Sequence, residues 1–293
     1  VVDQNPAMQN IHYPRTVEVE EAINGLRVAR STFDITYKSG GSTDPWNTPC
    51  TTFPSEAKTA FNAAAAIWES TIQSSVPITI SACWADSDTL PYGVLGYSGG
   101  SSTLNFNGAP EPNVWYQSAL ANAFAGADLN PSGADIYITY NSEFNWYTGT
   151  DGNTPAGTYD LVSVAAHEIA HGLNFAGMVD YTNGTAEYGL AGYPSIYENF
   201  LESIDGTKLT SYTNPSTALG NLVTSNNLWW DGPNANAANG DSRVKIYAPS
   251  SWISGSSYSH LDYSTFAGTV NSLMVYAIGS GTSQHNPGPV TKG

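Results

Sequence analysis

Hydrophobic and polar positions follow short, strand-like patterns in three segments of the N-terminal half. These segments, rich in β-branched and aromatic residues, are Thr32–Lys38, Val76–Trp84 and Ala134–Tyr140. In the last one, Ile136 and Ile138 fall on one face and the residues between and beyond them on the other, as the two-residue period of a strand requires. The pattern therefore predicts three β-strands.

Two longer segments of the same half predict helices. Pro54–Ile72 is rich in Ala and has apolar residues at the spacing that a packed helix needs. Leu161–Asn174 is a second apolar helix. Asp160 comes directly before it, and an aspartate at that position can accept a hydrogen bond from the first turn.

The chain changes character after the second predicted helix. Residues 178–256 are rich in Gly, Asn, Ser, Tyr and Trp, and they contain one further helical candidate, Ser195–Ile204. The stretch 231–242 (DGPNANAANGDS) predicts a loop, because Gly, Pro, Asn and Asp dominate it. The first 30 residues lack periodicity, and we expect them to wrap around the surface as an N-terminal arm.

Together these elements predict an α+β fold. We expect the arm of residues 1–30 to precede an N-terminal lobe over residues 31–177 and a loop-rich C-terminal lobe over residues 178–293. Cys50 and Cys83 flank the first helix and the second strand, and we expect them to form one disulfide. Two unpaired thiols in the core are the alternative.

The composition narrows the class of protein. With 41% hydrophobic residues among 293, the chain can bury a substantial core. Its 25 acidic and 9 basic residues give a net charge of −16, which argues against nucleic acid or an anionic membrane as a partner. No apolar run is long enough for a transmembrane helix. Many Tyr, Trp, Gly, Ser, Thr and Asn residues, with few Lys, indicate a secreted protein.

One motif indicates a chemistry. Residues 167–171 read HEIAH, the HExxH pattern, and on a helix His167 and His171 lie one turn apart on the same face. Neutral imidazoles suit zinc, which lowers the pKa of a water molecule so that Glu168 can take its proton during attack on a carbonyl. The motif predicts a zinc-dependent endopeptidase with Glu168 as general base. The alternative is two packed histidines beside a solvated glutamate.

Two histidines do not complete a zinc site, so a third ligand must come from elsewhere. An extended pattern would continue through a Gly and a third His, but this chain has Asn174 and Gly177 at those two positions. Asn tolerates the left-handed conformation, so the chain can still turn away at Asn174. The candidates for the third ligand are His260, His285, Glu198, Glu202 and His12.

Three segments in a fixed order carry a family resemblance. The sequence HEIAHGLNF is followed, after a long insertion, by SHLD at 259–262 and by Leu273–Met274. In this order they resemble the metzincin clan of metallopeptidases, in particular leishmanolysin-type members and related bacterial secreted proteins. The resemblance is strongest over residues 134–177 and 257–290. It implies a catalytic domain with a mixed twisted sheet, a backing helix and an active-site helix in the N-terminal lobe.

Carried over residue by residue, the resemblance gives several positions a role. Glu168 matches the catalytic glutamate, and Met274 matches the methionine of the turn that lies beneath the metal. The Met-Val-Tyr sequence at 274–276 is similar to the Met-x-Tyr of astacin-like and serralysin-like members. There the tyrosine can ligate zinc and then stabilise the oxyanion, which makes Tyr276 a candidate catalytic residue. The metal ligands that the resemblance implies are His167, His171 and His260.

The resemblance also implies a partner. A protein or peptide substrate would lie extended along an edge strand and add to the sheet by main-chain pairing. Ala134–Tyr140, or the segment up to Trp146, is the candidate edge strand. We expect the protein to act as a monomer.

Three further hypotheses stand beside this one. The acidic turns Asp128–Asp135 and Asp151–Asn153 carry oxygen ligands that could bind Ca²⁺. The aromatic, Asn-rich second half is also compatible with an extracellular adhesion or glycan-binding module that holds a structural zinc. Residues 1–30 could be the remnant of a pro-segment, in which case the chain would be a zymogen.

Overall fold

The computed structural model describes residues 2–4, 10–16, 31–86 and 90–293, and seven strands of these residues form one mixed sheet. In chain order they are β1 (Val2–Gln4), β3 (Phe33–Tyr37), β4 (Cys50–Thr51), β5 (Ile78–Ala85), β6 (Val94–Gly99), β9 (Ile136–Asn141) and β17 (Ala277–Ile278). The strands lie in the order β17–β1–β6–β9–β5–β3, and β4 pairs with β5. The three strands predicted from the sequence are thus present as β3, β5 and β9.

Smaller sheets and helices surround the main sheet. The paired strands are β2 (His12–Tyr13) with β18 (Ser283–Gln284), β7 (Ser102–Leu104) with β8 (Trp115–Gln117), β10 (Trp146–Tyr147) with β11 (Tyr159–Asp160), β12 (Val179–Thr182) with β13 (Thr185–Tyr188), and β14 (Leu201–Ser203), β15 (Leu228–Trp230) and β16 (Val244–Ile246) as a group of three. The helices are α1 (Ser55–Thr71), α2 (Ser118–Ala125), α3 (Leu161–Gly172), α4 (Ile196–Asn199), α5 (Thr217–Val223), α6 (Pro233–Ala238), α7 (Tyr263–Phe266) and α8 (Gly288–Lys292), with 3-10 turns at Leu209–Ser211 and Ser272–Met274. None of these described helices is long and apolar enough to cross a membrane. The chain therefore has a mixed α+β architecture, as its sequence predicts.

Strand β9 lies in the interior of the main sheet, so the prediction that Ala134–Tyr140 is an edge strand is wrong. It pairs in parallel with β5 on one side and antiparallel with β6 on the other. The alternation of apolar and polar residues in this strand suggests one solvent-exposed face. It is misleading because Thr139, a polar residue, is fully buried. Its hydroxyl donates to a carboxylate oxygen of Asp44 at 2.7 Å, which satisfies it away from water.

Helices α1 and α3 pack against each other and against the main sheet. The indole of Trp68 on α1 donates to the carbonyl of Ala166 on α3 at 3.0 Å. Asp160 caps α3 as predicted, because its carboxylate accepts a hydrogen bond from the main chain of Ser163 at 2.7 Å. Gly172 lets the end of α3 approach β9 closely, since a Cβ there would lie 2.4 Å from a methyl carbon of Ile136.

The N-terminal arm is only partly a surface arm. Val2–Gln4 is a strand of the main sheet, so the prediction is wrong for these residues. Further on, β2 pairs in parallel with β18 near the other end of the chain. The rest of the predicted arm, residues 1, 5–9 and 17–30, lies outside the described residues.

The helix predicted over Ser195–Ile204 is wrong in its second half. Helix α4 ends at Asn199, and the chain continues as β14, which pairs antiparallel with β15. At the junction the ring of Phe200 stacks on that of Trp230, with 4.9 Å between the ring centroids. The aromatic contact and the strand pairing stabilise the strand more than the helical propensity of the segment stabilises a helix.

The loop predicted over residues 231–242 is also wrong, because α6 occupies Pro233–Ala238. Proline at the first position of a helix has its φ angle already set and needs no hydrogen bond for its nitrogen. Ala235 is buried, so tertiary packing stabilises a short helix that the composition alone argues against.

One large hydrophobic cluster joins the two halves of the chain. It runs from α1 and the main sheet through α3 to β14, β15 and β16. Beside it a smaller cluster contains Cys50 and Cys83, whose sulfurs form a disulfide that joins β4 to β5. The predicted disulfide is therefore present in the structure.

The disulfide closes a loop with a sequence separation of 33 residues. Replacing both cysteines by Ala should lower the free energy of unfolding by about 3–4 kcal/mol, because the unfolded chain regains the entropy that the cross-link removes. Urea unfolding of the parent and the variant would measure this difference. The reduced parent is the control, and a loss below about 1 kcal/mol in the variant would contradict the expectation.

Candidate metal centre

Helix α3 presents the first two histidines. His167 and His171 lie four residues apart and therefore on one face, and both are buried. The helix ends at Gly172, and Asn174 then adopts a left-handed conformation with φ of 89°, as its identity predicts. This turn brings the carbonyl of Phe175 back towards the helix, where it lies 2.7 Å from Nδ1 of His171.

The third histidine arrives from a segment almost 90 residues further along. His260 is fully buried, and its main-chain carbonyl accepts a hydrogen bond from the N–H of Tyr247 at 2.8 Å. Just before it, Tyr258 has a φ of 78°, a left-handed conformation that is rare for a bulky residue. The following residue, Leu261, donates its N–H to the carbonyl of Met274 at 2.8 Å. These contacts fix the segment on both sides of His260.

The three imidazoles meet at their Nε2 atoms. Each pair of Nε2 atoms among His167, His171 and His260 is separated by 3.1 Å, so the three form an equilateral triangle. Three nitrogen ligands at about 2.0–2.1 Å from a tetrahedral ion lie roughly 3.3 Å apart. The spacing therefore fits a single metal ion. Within the described ranges, these histidines are the group of potential ligands close enough to hold one.

Hydrogen bonds on the far side of each ring fix the tautomers. Nδ1 of His167 lies 2.6 Å from the carbonyl oxygen of Leu273, that of His171 faces Phe175, and that of His260 lies 2.8 Å from the oxygen of Ser256. A carbonyl oxygen only accepts hydrogen bonds, so each Nδ1 carries a proton. Each neutral ring then has a bare lone pair on Nε2. The three Nε2 atoms therefore face one another at 3.1 Å with their lone pairs unshared. A cation bound between them would remove the repulsion between these lone pairs.

Burial keeps the three rings neutral. It lowers the pKa of His167 to about 3, and it lowers the pKa values of His171 and His260 well below their ordinary value of 6.5. The proximity of the rings adds to the effect for His171 and His260. Protonation therefore does not relieve the lone-pair contact near neutral pH, and the donor set is the one that zinc and similar divalent metals bind.

The turn at Ser272–Met274 ties the two histidine segments together. The carbonyl of Leu273 accepts from His167 on α3, and the carbonyl of Met274 accepts from Leu261, next to His260. The Met274 side chain is fully buried. The turn that the metzincin resemblance singles out thus lies against the histidine cluster and contributes main-chain acceptors to it.

Glu168 lies on the same helix, turned towards the sheet. With 100° between successive residues, it is about 80° around the helix axis from the midline of His167 and His171. Its carboxylate is fully buried. Burial raises the pKa of Tyr140 on β9, and the charge of Glu168 adds to this effect.

Tyr276 packs within a group of tyrosines beside the cluster. Its ring stacks on Tyr247, with 4.4 Å between centroids, and contacts Tyr263 at 5.3 Å. Tyr276 is partly buried, and it lies two residues after the end of the Ser272–Met274 turn. Its catalytic role stays a prediction.

The other candidates for the third ligand have different partners. Glu198 is buried, and its carboxylate accepts from the main-chain N–H groups of Met178 and Ser195; burial raises its pKa to about 7. Glu202 forms ion pairs with Lys208 and Arg243. The two remaining histidines are bound elsewhere: His285 contacts Asp160 at 2.8 Å, and His12 contacts Ser283 at 2.8 Å.

The two turns considered for calcium use their carboxylates in hydrogen bonds. Asp135 is buried and accepts from Thr79 and Asn122. Asp151 accepts from the hydroxyl of Tyr147 and the main chain of Asn153. Calcium binding at these turns stays a prediction.

Sequence reasoning misses the groups that orient the histidines. The acceptors on Leu273, Phe175 and Ser256 are main-chain carbonyls, so no residue type marks them. The one usable signal is Asn174. Its left-handed turn presents Phe175, and its side-chain oxygen accepts from the main chain of Gln117 at 3.0 Å, which anchors the turn to β8.

The chain matches no protein-family model, no curated protein and no solved structure. The functional argument therefore depends on the geometry of the site itself.

His260→Ala should weaken zinc binding by roughly 100-fold or more, because even a residue that only orients a ligand is worth about 10–100-fold in metal affinity. His12→Ala is the matched control, since His12 is exposed and lies outside the cluster. Competitive titration with a zinc-sensitive dye would measure both affinities. Unchanged zinc affinity in His260→Ala would exclude His260 as a ligand.

Proposed function

We propose that this protein is a secreted zinc-dependent endopeptidase. The observation that carries the proposal is the convergence of three neutral, buried imidazoles whose bare Nε2 atoms lie 3.1 Å apart, with Glu168 on the same helix. Three nitrogen donors suit zinc better than calcium or magnesium, which prefer oxygen ligands. The disulfide Cys50–Cys83 agrees with an extracellular location.

The chain's own residues divide the chemistry between them. A bound zinc ion would supply Lewis acidity and lower the pKa of a water molecule towards neutrality. His167, His171 and His260 would hold the ion, and their tautomers are fixed by the carbonyls behind them. Glu168 accepts the proton of the water as it attacks a peptide carbonyl, and it can then pass that proton to the leaving amine.

The number of protein ligands favours a catalytic site over a structural one. Structural zinc sites are usually closed by four protein ligands, whereas catalytic sites keep one position for water or substrate. In the part of the chain that the structure describes, the cluster contains His167, His171 and His260 and no fourth Cys, His, Asp or Glu. The alternative, an adhesion or glycan-binding module with a structural zinc, would need a fourth ligand that these described residues do not supply.

The metzincin resemblance agrees with the arrangement around the site. It implies a histidine pair on a helix, a distant third histidine and a methionine-bearing turn in contact with them. The hydrogen bond from Leu261 to Met274, which joins the segment of His260 to the turn at Ser272–Met274, supports this resemblance. We propose membership of this clan on these grounds, with a peptide as the substrate and the monomer as the acting form.

Glu168→Gln should retain zinc but lower kcat on casein by about 100- to 10,000-fold, because glutamine cannot accept the proton. Zinc content is measured alongside hydrolysis in both proteins. Glu187→Gln, the same change at an exposed position, should behave as the parent. Full hydrolysis by the Glu168 variant would overturn the mechanism. If the parent binds zinc and cleaves no protein substrate, the structural-zinc alternative is favoured instead.

Tyr276→Phe tests the second catalytic candidate. If its hydroxyl stabilises the oxyanion, kcat should fall by about 100-fold while KM and zinc content change little. The ring packing on Tyr247 is retained in this variant. Tyr92→Phe removes the hydroxyl of a fully exposed tyrosine and serves as the control. An unchanged kcat in Tyr276→Phe would reduce Tyr276 to a packing role.

A further inference from the structure

Strand β1 occupies an unusual place in the main sheet. It lies between β6 and β17, antiparallel to the first and parallel to the second. Asp3 is the registered partner of Val94 on one side and of Ala277 on the other. A segment of three residues near the start of the sequence therefore separates two elements that come from distant parts of the chain.

The two neighbours of β1 border the histidine cluster. Strand β6 packs against α3, and β1 itself also contacts this helix. Strand β17 begins at Ala277, three residues after Met274, whose turn bonds to both histidine segments. The groove between β6 and β17 therefore runs along the helix that carries His167, His171 and Glu168, and Ala277 and Ile278 of β17 line a cavity together with His167.

Among the described strands, the opposite edge of the main sheet lies too far from this site to serve it. At the far end, β3 is separated from β6 by β9 and β5, and three strand spacings amount to roughly 14 Å. The outer edge of β17 is also free of a neighbouring described strand, but β17 is only two residues long, Ala277–Ile278, and offers little main chain for pairing. A peptide that adds to the sheet next to the histidines must use the main-chain groups of β6 that β1 now occupies.

We infer that Val2–Gln4 is an internal occupant of the groove between β6 and β17, where the proposed function would place an extended peptide substrate, and that this strand must leave before a substrate binds. This inference rests on the proposed function. It gives the substrate a direction, antiparallel to β6 and parallel to β17, which is the direction of β1. Main-chain hydrogen bonds on both sides hold such a peptide, as in other cases of strand addition.

An irregularity in β1 favours its exchange for a substrate. The register shifts between Val2 and Asp3, which interrupts the ladder on the β6 side. Each lost main-chain hydrogen bond changes an equilibrium by roughly 2- to 10-fold. A longer peptide that pairs along more of Val94–Gly99 can therefore displace the internal strand.

A reversible cross-link tests the inference directly. Asp3 and Val94 are registered partners on antiparallel strands, so Asp3→Cys/Val94→Cys should form a disulfide on oxidation and lock β1 in the groove. We expect the oxidised double variant to lose casein hydrolysis by at least about tenfold relative to its own reduced form. Zinc content should be equal in both forms. The native disulfide is buried, and the parent treated with the same mild reductant is the control. Equal activity of the locked and reduced forms would overturn the inference.

A binding experiment separates this inference from the proposed function, because it needs no hydrolysis. In a Glu168→Gln background, a fluorescent synthetic peptide with the sequence of residues 1–6 is titrated by anisotropy. Asp3→Pro, which removes one main-chain N–H from β1, should bind the peptide roughly 2- to 10-fold more tightly than Asp3→Ala, which keeps it. The oxidised cross-linked variant should bind at least about tenfold more weakly. Equal affinities in all three proteins would refute the groove, even if the parent proves to be a peptidase.

Discussion

The site depends on three imidazoles that share one tautomer. A carbonyl behind each ring holds the proton on Nδ1, so the Nε2 lone pairs of His167, His171 and His260 point at one another. Each carbonyl comes from a different local structure: the turn at Ser272–Met274, the left-handed bend at Asn174, and the segment that begins at Ser256. The local fold around the cluster is therefore organised to keep three acceptors together.

This arrangement couples the folding of the chain to the ion it would bind. Without a cation, three desolvated lone pairs at 3.1 Å oppose the native packing, and a bound metal turns the same contact into a stabilising one. The N-terminus of α3 is held independently, because the carboxylate of Asp160 caps it and also contacts His285. The N-terminal end of the helix is therefore supported by contacts that do not involve the histidine cluster.

Local chemistry made part of this structure predictable. The helix around His167, its cap at Asp160 and the bend at Asn174 each follow from residue type and spacing. Features set by long-range pairing were not accessible: the burial of Thr139 depends on Asp44, almost a hundred residues away, and hides the interior position of β9. Short elements such as α6 depend on packing more than on composition. The sequence restricted the third ligand to a few candidates, and only the folded chain brings His260 into the triangle.

Strand β1 lies where two requirements conflict: protection of a sheet edge from other chains, and access of a substrate to the same edge. An exposed edge strand offers unpaired main-chain groups to any other chain and favours aggregation, so folded proteins cover such edges. A peptidase of the proposed kind needs the same groups on β6 for its substrate. An internal strand satisfies both, because it pairs with β6 and β17 on either side while its register shift interrupts the ladder on the β6 side. Its weakness is then a functional property, since a strand bound more firmly would protect the edge and close the site.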